Sequence, residues 1–127
     1  MKLNYPLLSR SLIALLFVVA GIQKIMDFSG FVGYVGALGI PAPQVVAVLV
    51  ILVEILVALA YAWGYRVCTT GGIIVAYVII VTLVVHRDFS QAGNLIMALK
   101  NIAIIGGILA TTGTCSCQRC FALNPKE

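Results

Sequence analysis

Four apolar runs, each about as long as a bilayer is thick, govern what this chain can become. They cover 7–26, 44–63, 67–86 and 94–112, and each is close to the roughly 20 residues a helix needs to cross ~30 Å of hydrocarbon. Backbone in lipid must satisfy its own polar groups, so runs of this length read as helices. Composition removes the soluble alternative: 62% of the 127 residues are apolar and 9% are charged, where soluble domains carry roughly 25% charged residues. The mean hydropathy is +1.14. The sequence predicts an all-α membrane protein of one domain, a four-transmembrane-helix bundle with no convincing internal repeat. A polar, Cys-containing tail over 113–127 follows it.

The connectors differ in kind. Between the first two runs, Asp27 to Pro43 places Phe28, Phe31, Val32, Val35 and Leu38 at helical spacing among Gly30, Gly33 and Gly36. That pattern predicts a short interfacial helix ended by Gly39 and Pro41. Gly64, Tyr65 and Arg66 form a turn so short that the second and third spans must make an antiparallel hairpin. Tyr61, Trp63 and Tyr65 suggest an aromatic belt at that level. A polar link, Arg87 to Gly93, leads to the fourth span.

The formal charge is +4, yet Lys and Arg are scattered singly, without the basic run or basic helix face that nucleic acid requires. Lys2, Arg10, Arg66, Arg119 and Lys126 collect on one side, while Lys24 and Arg87 on the other are offset by Asp27 and Asp88. The positive-inside rule then places both termini in the cytoplasm of a bacterial inner membrane. The basic start before an apolar stretch resembles a signal peptide with Ala20 as a cleavage position. The apolar pattern runs on past Ala20 to Met26, however, which favours an uncut first span.

Charged residues inside the spans are the candidates for function, because each costs at least ~2.5 kcal/mol near the bilayer centre on insertion scales. Glu54 lies near the middle of the second span. Lys100, with Asn101 beside it, lies at similar depth in the fourth and is expected to meet Glu54. Ala47 and Ala58 share the face of Glu54, and Ala103 and Gly107 lie beyond Lys100, residues small enough for close helix approach. Arg10, Phe17 and Lys24 form one stripe of the first span. His86 ends the third span, one turn beyond Thr82. Convergence of Lys24, Glu54, His86 and Lys100 in the outer half of the bundle would leave an excess of positive charge, suited to an oxoanion or a quinone head. Glu54 and His86 would be the catalytic, proton-handling groups, with Lys24, Lys100, Asn101 and Arg10 binding ligand. The competing readings are snorkelling of Lys24 and Arg10 to the two surfaces, a structural Glu54–Lys100 pair, and an ordinary interfacial His86.

Cys115, Cys117 and Cys120 form C-x-C-x-x-C, and the expected topology puts Cys68 on the same side of the membrane. Four thiolates are a donor set for zinc or an iron–sulfur centre, although the spacing fits no standard site. Lipidation and free thiols remain the alternatives, and a reducing cytoplasm disfavours disulfides.

The ordered set Leu8-Ser-Arg10, Phe17-Val-Val-Ala-Gly21, Lys24, Leu38-Gly-Ile-Pro41, Glu54, His86 and Leu99-Lys-Asn101-Ile-Ala-Ile-Ile-Gly106 resembles the DoxX family of small membrane proteins, over residues 7 to about 112. The resemblance implies a four-helix bundle that works beside membrane redox or sulfur chemistry, since relatives include a subunit of thiosulfate:quinone oxidoreductase. It also implies that Arg10, Lys24, Glu54, His86, Lys100 and Asn101 stand at the family's characteristic polar positions; the Cys-rich tail departs from its pattern. The leading expectation is an oxidoreductase subunit with quinone as the ligand and redox or sulfur-metabolism proteins as partners. The alternatives are a scaffold that pairs its intramembrane charges with other subunits, with homo-oligomerisation open, and a small transporter, for which no broken helix or inverted repeat is visible.

Overall fold

A computed structural model describes residues 4–86 and 88–120, the side chains of 113–120 excepted. Every regular element among the described residues is helical. Span 1 is Tyr5–Met26, the linker helix Phe28–Ala37, span 2 Pro43–Trp63 and span 3 Val67–Val85. Span 4 begins at Ala92 and reaches Thr112 as an apolar helix, and its backbone stays helical to Cys120. The fourth helix is thus longer than the 94–112 its apolar run suggests. Hydropathy marks where a helix leaves lipid, not where its hydrogen bonds stop.

The ends follow from local chemistry. The Asn4 carboxamide accepts from the Leu7 amide, with Pro6 in the first turn of span 1 where its missing N–H costs nothing. Asp27 closes span 1 and opens the linker helix, its carboxylate accepting from the Gly30 amide at 3.2 Å. Ten residues rise only about 15 Å, too little to cross, so this helix lies at the interface. Gly64 ends span 2 at φ 88°, with its amide on the Tyr61 carbonyl and that of Tyr65 on Ala60. Such left-handed closure favours glycine. Arg66 follows at φ 43°, and span 3 starts at once. In the last connector, the Ser90 amide and hydroxyl donate to Asp88 and hold its carboxyl below the usual carboxylate range.

Each span packs on two neighbours in the cyclic order 1, 2, 3, 4, while the diagonal pairs stand apart. Side chains cross the diagonals instead. Phe17 of span 1 meets Tyr77 of span 3 edge to face at 6.3 Å, and the Tyr61 hydroxyl of span 2 bonds Thr111 of span 4. Ala14, Ala58, Ile74, Val78 and Ile108 complete the buried centre. Outward positions such as Leu12, Leu56, Leu83 and Leu109 are exposed, as a lipid-facing surface requires. Tyr61 does not belong to the expected aromatic belt: it is fully buried, whereas Trp63 and Tyr65 are exposed. A buried phenol needs a partner for its hydroxyl, and Thr111 provides one.

Lipid provides no hydrophobic drive between spans, so association rests on close packing, and small residues carry it. A Cβ on Gly71 would stand 2.6 Å from Thr112 Cγ2 and 3.3 Å from the Tyr61 ring, whereas one on the adjacent Gly72 would meet nothing within 4 Å. Gly71→Ala should therefore cost about 1–3 kcal/mol by overpacking, while Gly72→Ala changes little. Unfolding of the two variants in detergent measures the difference.

Candidate polar site at the Asp27 end of the bundle

Glu54 is the most buried charged side chain described, 4% exposed. It sits where span 2 widens into a π-helical turn, Val53–Val57, between α-helical stretches. A π-bulge inserts one residue and rotates the side chains around it, a device frequent at functional sites. The opposing wall is Gly21 of span 1, whose added Cβ would fall 2.6 Å from Ile55 Cγ1 and 3.3 Å from Glu54 Cβ. Gly21 lets span 1 pass close enough for Lys24, one turn later, to reach the carboxylate.

Lys24 does not snorkel outward. Its side chain folds back along span 1, with Nζ 3.5 Å from the Ala20 carbonyl oxygen, and donates to Glu54 Oε1 at 3.0 Å and Oε2 at 2.8 Å. Tyr77 of span 3 donates its hydroxyl to Oε1 at 2.5 Å. Three donor contacts, two of them from a cation, meet one carboxylate, the arrangement that makes a buried ion pair tolerable. Phe31 of the linker helix lies over the ammonium, its ring centroid 5.4 Å from Nζ, a cation–π contact that ties this helix to the site. A cleft of about 300 Å³ lies between span 1 and the linker helix, lined by Ala20, Gln23, Lys24, Asp27, Gly30 and Phe31.

The other expected members do not gather here. Lys100 is exposed on the outward side of span 4, and Glu54 takes Lys24 and Tyr77 as partners in its stead. One residue further, Asn101 faces span 3 and donates to Thr82 Oγ1 at 2.8 Å. His86 pairs through Nδ1 with Asn94 Oδ1 at 3.3 Å. Because the Asn94 amide group donates to the Asp88 carbonyl, its oxygen is the acceptor and Nδ1 of His86 the donor. Arg10 lies at the opposite end, its guanidinium against Gly64, 3.4 Å from where a Cβ would stand. There it faces the C-terminal end of span 2, where helix carbonyls favour a cation. The expected four-way convergence is thus a triad, Lys24–Glu54–Tyr77, beside separate contacts between spans 3 and 4. Among the cysteines, Cys68 is half-buried in the first turn of span 3, while the side chains of Cys115, Cys117 and Cys120 lie outside the described residues. Among the described residues no three His, Cys, Asp or Glu side chains come together as a metal site.

Sequence reasoning passed over Tyr77 and Gln23, and named Phe31 only as an apolar position of the linker helix. An isolated Tyr in an apolar run was a visible signal, since a phenol within lipid seeks an acceptor.

The DoxX family profile matches residues 5–87, from span 1 through the end of span 3 and so over the whole triad. The chain belongs to the DoxX family. This DoxX chain is 34% identical over 109 residues to the inner membrane protein YqjF of Escherichia coli K12, covering 84% of the chain and 82% of that relative. It is 28% identical over 114 residues to the inner membrane protein YphA of the same organism, covering 84% and 81%. No solved structure matches it significantly. Lys100 and Asn101 fall beyond the segment that the DoxX profile matches.

The ion pair generates its own test. Lys24→Met alone strands a carboxylate in the bundle and should cost about 3 kcal/mol, while Lys24→Met with Glu54→Gln should recover most of that loss. A double-mutant cycle of unfolding in detergent checks it. Additive losses would mean that the two side chains are not coupled.

Proposed function

We propose that this protein is the ligand-binding membrane subunit of a quinone-linked oxidoreductase system in a bacterial inner membrane, with the Lys24–Glu54–Tyr77 triad at the foot of its site. The observation that carries the reading is an ion pair with a phenol inside the bundle, whose lysine lines a cleft. Intramembrane ionisable groups are costly and mark ligand or proton pathways more often than they serve packing. A quinone head is uncharged, planar and ends in carbonyl oxygens that accept hydrogen bonds. The longest of the Lys24 hydrogen bonds, 3.5 Å to the Ala20 carbonyl, is the one a ligand carbonyl replaces most cheaply. Reduction of a quinone to the quinol takes two electrons and two protons. A partner electron carrier supplies the electrons, and the protons enter through the cleft by way of Lys24, with Glu54 and Tyr77 stabilising the charge change. His86 remains a candidate proton-handling group outside the triad.

The filled centre supports a one-sided site over a transport path. Phe17, Ala58, Tyr61, Ile74 and Ile108 occupy the bundle between the triad and the Asn4 end. Binding of naphthoquinone to the protein in nanodiscs tests the proposal. Wild type should bind, and Glu54→Gln, Lys24→Met and Tyr77→Phe should each weaken binding by about tenfold or more, the loss of one or two hydrogen bonds to or within the site. Binding unchanged in all three would sink it.

A second reading has its own observation. Lys100 is exposed about 12 Å along span 4 from Ala92, which suits a scaffold that pairs this cation with an acidic group of another membrane subunit or of a second copy. Under that reading Lys100→Met releases a co-purifying subunit from the detergent-solubilised complex and leaves naphthoquinone binding intact; a complex that survives the substitution rules it out.

A further inference from the structure

We infer that Asp27 makes the mouth of the cleft selective against anions, so that the site takes an uncharged ring and refuses sulfur oxoanions. The inference rests on the ligand-site reading above and narrows its substrate class. Composition alone points the other way, since Lys24 and Lys100 with a single Glu54 predict a cationic pocket. Geometry reverses the sign. Lys100 is on the outer surface, and both oxygens of Glu54 bond the Lys24 ammonium, so these two charges cancel. Of the charged residues lining the cleft, Asp27 is left over, and it makes no ion pair among the described residues. Summed over Lys24, Glu54 and Asp27, the formal charge at the cleft is therefore negative.

Local structure pins that charge at the rim. Asp27 Oδ1 accepts from the Gly30 amide at 3.2 Å, and a Cβ on Gly30 would stand 2.3 Å from Oδ2, so the turn is shaped around this carboxylate. The first turn of a helix attracts anions through its free amides and dipole. Here the linker helix has already supplied its own anion, which occupies the place an incoming one would seek. An oxoanion entering the cleft meets repulsion at the rim and, at the foot, an ammonium already committed to Glu54. A neutral carbonyl is spared the rim repulsion and needs from Lys24 only the contact now made to the Ala20 carbonyl rather than a full counter-charge, with Gln23 and the Phe31 ring beside it.

The test compares naphthoquinone with its ring-sulfonated, anionic counterpart by titration calorimetry on the full chain in nanodiscs of uncharged lipid, with thiosulfate as a competitor. Wild type should bind the neutral ring about tenfold more tightly than the sulfonate, a gap that narrows as salt rises, because a rim charge acts through partly screened solvent. Thiosulfate should not displace the neutral ring. Asp27→Asn and Asp27→Ser both keep a side chain able to cap the linker helix, and each should reduce the ratio of the two affinities by about fivefold. Equal binding of the two rings by wild type, a ratio unmoved in both variants, or displacement by thiosulfate would overturn the inference while leaving the ligand site standing. Failure of wild type to bind naphthoquinone at all would overturn the ligand reading, and this inference with it.

Discussion

A carboxylate inside a membrane bundle must be neutralised, and much of this protein's architecture is the means of doing so. Glu54 is satisfied from two directions, by Lys24 of span 1 and Tyr77 of span 3. Each donor demands something of the backbone. Lys24 must come from a helix that approaches span 2 closely, which Gly21 permits. The carboxylate must be turned toward both neighbours, and it does so from within the π-helical turn Val53–Val57. The ion pair thereby fixes the relative height of spans 1 and 2, and the phenol fixes that of span 3. In lipid, where exchanging one apolar contact for another gains little, such pairs specify register more effectively than leucines do.

The same reasoning accounts for the centre. Diagonal spans stand too far apart for backbone approach, so large side chains fill the middle: Phe17 against Tyr77 and Tyr61 against Thr111. Tyr77 serves both tasks, its ring packing on Phe17 and its hydroxyl bonding Glu54. Core and site are for this reason not separable, and a change to either aromatic ring is felt at the carboxylate. The triad sits above that packed layer, and its Lys24 lines the cleft between span 1 and the linker helix.

Most of the fold was legible in the sequence because bilayer thickness leaves few choices: four long apolar runs, one ten-residue interfacial helix and a three-residue turn dictate the architecture. Within the site, legibility followed the strength of each physical constraint. Glu54 was identifiable because a lone carboxylate in a span is costly and calls for a partner or a function. Its partner was not, because depth along a helix says nothing of azimuth. Lys100 and Asn101 are adjacent and only about 100° apart around span 4, yet Asn101 turns inward to Thr82 and Lys100 faces out. The π-helical turn carried no signal in composition. Tyr61 and Tyr77 are a different case: a tyrosine in an apolar run signals that its phenol needs an acceptor, but only the fold tells a belt residue from a buried hydrogen-bond donor.

That azimuthal difference also decides the chemistry. Two lysines converging on one glutamate would make an anion trap, whereas one lysine bound to one glutamate makes a polar but electrically balanced floor. Asp27 then stands at the cleft and Lys100 on the outward side of span 4. Among the described residues the two form no ion pair with each other. A carboxylate at the cleft repels anions by Coulomb's law, whereas a cation on the outward side of a span attracts them. The direction in which each side chain leaves its helix thus puts opposite charges at the cleft and on the outer surface of this small bundle.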